Sequence, residues 1–375
     1  MYVINCMANN KSTQNSTLNK DGRSPLDSTM DPAKSAKQAG LRHVNDEEPG
    51  IRRRRCGRGF TYLDVQGKTI RYPKMRQRFN SLAIPPAWSD VWICVDESGH
   101  IQATGQDDKS RKQYIYHSRW HEVRNEVKFN RLLPFGESLP QLRTQIDKDL
   151  RRHGLPRERI VAAVIKLLEE SLIRVGNKEY ARQNDSYGLT TMRNKHVELT
   201  TTTISFDFLG KSGKNQQVVI QDARASRLIR QCQELPGQEL FQYIDDNGDS
   251  QTVESTDVNE YLLTVTGEAF TAKEFRTWGG TVAAVQAFQA LGPPDSDSDS
   301  KKKIVTAVNM AAKALGNTAA VCRDYYIHPA IVQAYRENSF FDLMAEAEDL
   351  ANGDLYQIEE LGVLHLLRHH LGQET

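Results

Sequence analysis

The sequence predicts an α+β protein, with a small β-rich N-terminal domain ahead of a larger, mostly α-helical domain that holds one conspicuous β-hairpin. Three observations carry this reading. From about residue 60, short alternating runs bounded by turn residues predominate. After residue 139, apolar residues recur at helical spacing. Near residue 204 the alternation returns, on both sides of a Gly-Lys-Ser-Gly tip.

Taken in order, residues 1–50 are rich in Asn, Ser, Thr, Asp and Lys and read as a disordered polar tail. Residues 51–124 form the β-rich domain. Within it "FTYLDV" and "WICVDESGHIQATG" alternate, "DESGH" is a hairpin tip, and Pro85 and Pro86 bar a helix interior. Residues 125–375 form the helical domain. "SLPQLRTQIDKDLRRHG" has a Ser-Leu-Pro start and a glycine stop. In the helix that follows, Ile160, Val161, Val164, Ile165, Leu167, Leu168 and Leu172 make a broad stripe. "VELTTTTISFDFLGKSGKNQQVVIQD" turns to β, with Ile204, Phe206 and Phe208 alternating before the tip. Helical patterns then run from Ala223 to Leu291 around an acidic loop, "DDNGDSQT". "GPPDSDSDSKKK" (292–303) reads as a solvated linker, and "KIVTAVNMAAKALGN" as a helix ending at Gly316. Acidic amphipathic helices follow from about residue 336.

Net charge is +1 but unevenly spread. Residues 111–152 hold ten Lys/Arg against five Asp/Glu, whereas residues 333–375 hold two Arg against nine acids. "RRRRCGRGF" (52–60) adds a basic cluster. A cationic front and an acidic rear suit a protein that orients a polyanion, although solvated helix faces and a basic tail would give the same counts. No apolar run reaches the ~18–20 residues that span a bilayer, and no secretory pattern opens the chain. Five scattered cysteines without CxxC spacing argue against a disulfide framework and a structural zinc site. A reduced intracellular protein is expected.

Four features of the second domain bear on chemistry: Arg174 in "LIRVGN", Lys211 in "FLGKSG", Arg276 in "KEFRTWGG", and the pair Tyr325-Tyr326. Each has a structural alternative. Arginine at a helix end caps carbonyls, lysine in a glycine turn is simply exposed, and tyrosine packs. A phosphate loop is excluded, because Ser205 stands where its first glycine belongs and a strand follows. Together the residues suit phosphodiester transesterification without a metal. Two guanidinium groups clamp non-bridging oxygens, a lysine protonates the leaving oxygen, and a tyrosine attacks. No cluster of acids at metal spacing stands near them in sequence, and no cofactor is implied.

The motifs "LAIPPAW", "DDKSRKQYIYHSRW", "KFNRLLPFGESLP", "LIRVGNKEYARQNDSYGLTT", "KHVEL", "FLGKSG", "FRTWGG" and "LGNTAAVCRDYYIHP" are in the order and spacing of the type IB DNA topoisomerases. From about residue 60 to 335 the chain resembles the poxvirus-like and bacterial branch of that family. The resemblance implies a topoisomerase IB or tyrosine recombinase-like catalytic fold and a monomer that clamps duplex DNA. It matches Arg174 and Arg276 to the catalytic arginines and Lys211 to the general acid. Asn317 falls where poxviral members carry histidine and bacterial members asparagine. The nucleophile lies nine positions beyond that residue and just before Ile-His-Pro, which selects Tyr326 over Tyr325. "RKQYIY" matches a groove-facing strand, so Gln113, Tyr114 and Tyr116 are expected on bases, with Arg111 and Lys112 on phosphates. An ordinary amphipathic strand is the alternative. Two rival functions are a tyrosine recombinase, whose second arginine sits in His-x-x-Arg where this chain has Lys273-Glu-Phe-Arg276, and a non-catalytic DNA-binding scaffold.

Overall fold

A computed structural model of the chain describes residues 32–349 and 356–372. The first 31 residues of the expected polar tail lie outside these. Residues 32–50 depart from that expectation, because they are packed. Helix α1 (Pro32–Gln38) buries Ala36, which with Ala39 and Leu41 packs on Trp120. Arg42 bridges to Gly99, and its guanidinium pairs with Glu48 and Asp96 at 2.9 Å each. A few small apolar residues suffice when distant residues supply the partner surface, so local composition underrates such a segment.

Strands β1 (Ile51–Cys56) and β2 (Gly59–Leu63), helix α2 (Pro73–Ser81), and strands β3 (Ser89–Ile93), β4 (Ile101–Gln106) and β5 (Lys112–Tyr116) follow. The strands form one antiparallel sheet in the order β2-β1-β3-β4-β5, which leaves β5 at an edge. The basic run is thus a hairpin, with Arg52, Arg54, Arg55, Cys56 and Arg58 exposed. Arg53 turns inward. Its guanidinium donates to the carbonyls of Ile84, Pro85 and Trp88 and lies 4.1 Å from the Phe60 ring. Ile51, Tyr62, Phe79, Val91, Ile93 and Ala103 make the core of this unit.

Helix α3 (Ser118–Asn130) starts one residue after β5 and runs unbroken across the boundary expected at residue 124. Trp120 near its start packs into the β-rich unit, and Phe129 near its end is buried on the other side of that boundary. Helix α4 (Leu132–Leu150) begins before the Ser-Leu-Pro taken as its start and carries Pro140 inside. Proline has no N–H for the carbonyl one turn back. Here that carbonyl, Gly136, accepts the Tyr356 hydroxyl at 3.0 Å instead.

Next come α5 (Arg157–Ser171), α6 (Lys178–Asn184), and strands β6 (Val197–Leu199), β7 (Thr203–Leu209) and β8 (Asn215–Gln221), a three-stranded sheet with the expected hairpin between β7 and β8. After α7 (Ala223–Gln233), strands β9 (Gln242–Ile244) and β10 (Ser250–Thr252) pair where only a loop was expected. Helices α8 (Ser255–Thr266), α9 (Ala272–Leu291) and α10 (Asp297–Leu315) follow. Helix α10 begins inside the supposed linker. The Ser296 hydroxyl caps it by accepting from the Asp299 amide at 3.2 Å, and Asp297 and Asp299 favour its positive end. Helices α11 (Ala319–Tyr325), α12 (Pro329–Arg336), α13 (Phe340–Asp349) and α14 (Ile358–His370) complete the chain. Among the described residues, no helix is long and apolar enough to cross a membrane.

The acidic last helices are part of the main core. Glu360 on α14 accepts the Trp278 indole N–H at 3.0 Å and receives Arg143 at 2.9 and 2.6 Å. Arg143 also pairs with Glu169 at 2.7 Å. Gly136 makes room for the Trp278 ring, since a Cβ there would lie 2.4 Å from it. The network joins α4, α5, α9 and α14 around a carboxylate that is 4% exposed. Glu360→Ala removes two charged hydrogen bonds from Arg143 and leaves the buried Trp278 N–H without its acceptor, while Glu169 still pairs with Arg143. It is expected to cost about 2–3 kcal/mol, read as a lower midpoint in urea unfolding.

Candidate active site

Arg174 stands in an extended segment after α5. Leu172 closes α5 in the left-handed region, at φ 54°, so the chain turns away from the helix axis there. The segment is pinned by the "YGLTT" stretch: the Leu189 amide donates to the Arg174 carbonyl at 2.9 Å, and Thr190 donates to the Val175 carbonyl at 2.7 Å. Gly188 permits this approach, because a Cβ would meet the Arg174 carbonyl at 2.5 Å.

Arg276 does not end a helix, as its sequence context suggested, but lies in the second turn of α9. A capping box starts the helix at Thr271, whose amide and hydroxyl both donate to Glu274, at 3.0 and 2.7 Å. The Arg276 guanidinium donates to the carbonyls of Leu172 and, at 2.9 Å, Leu315. These belong to the ends of α5 and α10. The side chain is 5% exposed, its Nε has no hydrogen-bond partner, and its guanidinium lies 5.1 Å from the Tyr326 ring centroid. Burial, and then the charge of Arg174, hold it below the ordinary arginine pKa.

Two glycines bring the remaining parts onto α9. A Cβ at Gly279 would lie 2.4 Å from Leu172, and one at Gly280 would lie 2.7 Å from the Tyr326 carbonyl. That carbonyl accepts the Thr281 hydroxyl at 3.3 Å. The Tyr326 amide closes α11 on the Cys322 carbonyl at 2.8 Å. Asn317 follows the Gly316 cap of α10; its Oδ1 accepts Arg174 Nη2 at 2.9 Å, while its buried Nδ2 has no partner. Arg276 Nε and Asn317 Nδ2 are therefore two buried donors without acceptors, in a protein class where such groups are few.

A cavity of about 760 Å³ collects Arg174, Lys211, Arg276, Tyr325 and Tyr326. Lys211 is exposed at the tip of the β7–β8 hairpin, in a single 3-10 turn. Seven cationic side chains line this cavity against one carboxylate, Glu274, so it favours a polyanion. The structure thus brings four of the five expected catalytic residues to one cavity, and Asn317 to Arg174 beside it. Sequence reasoning missed Arg124, Lys128 and Arg131, cavity-lining cations from α3 and its end. Burial pushes the Lys128 ammonium down to about 8, against the pull of Glu274. The only sequence signal for these was their excess of positive charge. Cys322 is fully buried, and burial pushes its thiol up to about 11, so it is a poor thiolate.

The expected DNA-contact residues do not share one face. Alternation on β5 sets Lys112, Tyr114 and Tyr116 on one side and Gln113 with Ile115 on the other, where Ile115 packs on the core. Tyr114 and Tyr116 stack at 5.8 Å, and Tyr114 is 40% exposed. The cations already have partners: Arg111 pairs with Asp107 at 2.6 Å and Lys112 with Asp46 at 2.9 Å, while the Gln113 amide donates to Asp107 at 3.0 Å.

A family model described as the catalytic core of eukaryotic DNA topoisomerase I matches residues 117–350. The N-terminal domain of bacterial DNA topoisomerase IB matches residues 59–107. The DNA topoisomerase 1B of Acanthamoeba polyphaga mimivirus is 33% identical over 307 residues, which are 80% of this chain and 91% of that protein. The chain belongs to the type IB DNA topoisomerases. It is accordingly an isomerase that acts on DNA. The vaccinia virus (strain Western Reserve) DNA topoisomerase 1B is 21% identical over 248 residues, 64% of this chain and 74% of that protein. Among solved structures, the XerH site-specific recombinase bound to difH substrate shares 16% identity at a TM-score of 0.29, covering 59% of this chain and 55% of that one.

The close approach at Gly280 can be tested in this topoisomerase. Gly280→Ala displaces the Tyr326 backbone, so supercoil relaxation should slow roughly 10–100-fold while affinity for duplex DNA holds. A wild-type rate would mean that the Tyr326 turn shifts at no cost to the chemistry.

Proposed function

We propose that this topoisomerase relaxes supercoils of either sign by transient cleavage of one strand through Tyr326. The Tyr326 hydroxyl gives up its proton to solvent water as its oxygen attacks the scissile phosphorus and the bond to the 5′ oxygen breaks, which leaves a 3′-phosphotyrosyl link and a free 5′ hydroxyl. Arg174 and Arg276 hold the non-bridging oxygens, and Asn317 donates a neutral hydrogen bond to one of them. Lys211 gives its proton to the leaving 5′ oxygen. The cut strand swivels, and the 5′ hydroxyl then displaces Tyr326 in the reverse step. The covalent bond keeps the energy of the one it replaced, so no nucleotide is consumed.

The observation that carries this reading is the Arg276 guanidinium, 5.1 Å from the Tyr326 ring with its Nε unpaired. A phosphoryl oxygen seated beside the tyrosine would give that donor an acceptor. Fixed cationic donors supply the charge stabilisation that a divalent ion supplies elsewhere. The β5 sheet with α1 to α3, and the helical body with the Lys211 hairpin, are the two halves of a clamp. We assign Tyr114 and Tyr116 to the bases; Arg111, Lys112 and Gln113 exchange their carboxylate partners for the duplex. The enzyme works as a monomer inside the cell.

Relaxation of supercoiled plasmid in EDTA without nucleotide should proceed with wild type and with Tyr325→Phe, and should be abolished by Tyr326→Phe. Residual relaxation by Tyr326→Phe would move the nucleophile elsewhere, and a requirement for Mg²⁺ would remove the cation-only mechanism. Lys211→Ala should slow strand cleavage by ~10²–10⁴-fold, and a leaving group that needs no proton should restore much of the loss.

A further inference from the structure

The segment that carries Tyr326 is held from outside its own helix. The last carbonyls of an α-helix have no partner within it. In α11 two of these are met by side chains of α3: the Asn125 amide donates to the Asp324 carbonyl at 3.2 Å, and the Lys128 ammonium donates to the Tyr325 carbonyl. One residue further along α3, the Phe129 ring meets His328 edge to face at 5.1 Å. Positions 125, 128 and 129 lie on one face of a helix, and their partners 324, 325 and 328 flank Tyr326 on both sides. Lys128 is also seated against the rings of Phe129 and Tyr325, at 4.2 and 5.6 Å.

The other end of the same helix belongs to the DNA-facing unit. His117, the cap of α3, directly follows Tyr116 of β5, and Trp120 packs with Ala36, Ala39 and Leu41. One unbroken helix therefore spans about 18 Å, at about 1.5 Å per residue, from the β5 tyrosines to the carbonyl before the nucleophile. We propose that α3 is a latch on the nucleophile: Asn125 and Lys128 are positioning residues that hold the Asp324–Tyr325 carbonyls, so that duplex seated on β5 fixes where the Tyr326 hydroxyl stands. The proposal rests on Tyr326 being the nucleophile.

The test compares wild type, Lys128→Met, Lys128→Arg and Asn125→Ala on a duplex bearing a cleavage site mapped with the wild-type enzyme, in single turnover without religation. The rate of covalent adduct formation at saturating DNA and the affinity for uncleaved duplex are measured separately. Lys128→Met should lower the saturated rate roughly 10–100-fold and Asn125→Ala roughly 3–10-fold, with affinity within about threefold and Lys128→Arg recovering most of the rate. Asn125→Ala keeps the test valid if the methionine variant folds poorly. Weaker binding with an unchanged saturated rate would make Lys128 a phosphate contact and overturn the latch, as would wild-type rates in all three variants. Tyr326→Phe runs alongside: adduct formed by that variant would sink the nucleophile assignment, a different failure from either of these.

Discussion

The architecture of the site depends on one buried guanidinium. Arg276 closes the ends of α5 and α10 by donating to the carbonyls of Leu172 and Leu315. Those ends lead directly into the loops that carry Arg174 and Asn317. The same group faces Tyr326 and keeps Nε in reserve. An arginine is suited to this because its planar fork offers five donors in fixed directions. Capping and the proposed catalysis, which look like competing readings of such a residue, fall to different nitrogens of one side chain: the two terminal nitrogens hold the carbonyls and Nε is left over. The cost is a charge in a buried place beside another arginine, which accounts for its lowered pKa.

Helix α9 is the platform on which these pieces meet, and its composition follows from that duty. Gly279 and Gly280 weaken a helix interior, yet they let Leu172 and the Tyr326 backbone lie directly on it. Trp278, between Arg276 and these glycines, is fastened to α14 through Glu360. The acidic C-terminal helices thereby brace the turn of helix that presents Arg276. Rigid support of this kind is what a charge-stabilising site requires, since donors that must reorganise during reaction lose much of their effect.

Much of this could be read from the chain. The Lys211 hairpin, the helix ending at Gly316 and the sheet of the first unit were visible as alternation and turn residues, whereas the preference for Tyr326 over Tyr325 came from the family resemblance alone. What stayed hidden was tertiary. Residues 32–50 looked too polar to fold because their partner, Trp120, lies far along the chain. The boundary placed at residue 124 fell inside α3, which packs Trp120 on Ala36, Ala39 and Leu41 at one end and Phe129 on His328 at the other. Arg276 was expected at a helix end, whereas it lies in the second turn of α9, where Gly279 and Gly280 permit close packing rather than ending the helix. Lys128 gave no local sign at all, since a lysine's burial and its carbonyl partner are set by helices distant in sequence.

The exposure of Cys56 on the β1–β2 hairpin, with Cys94, Cys232 and Cys322 buried, has a practical consequence. Maleimide reagents will distinguish these thiols by access alone. Once Cys6 is replaced by serine, a dye can be placed on the arginine hairpin of an otherwise unmodified enzyme. Energy transfer from Cys56 to labelled DNA would then report how near the arginine hairpin stands to the duplex in real time, with buried Cys322 left unmodified.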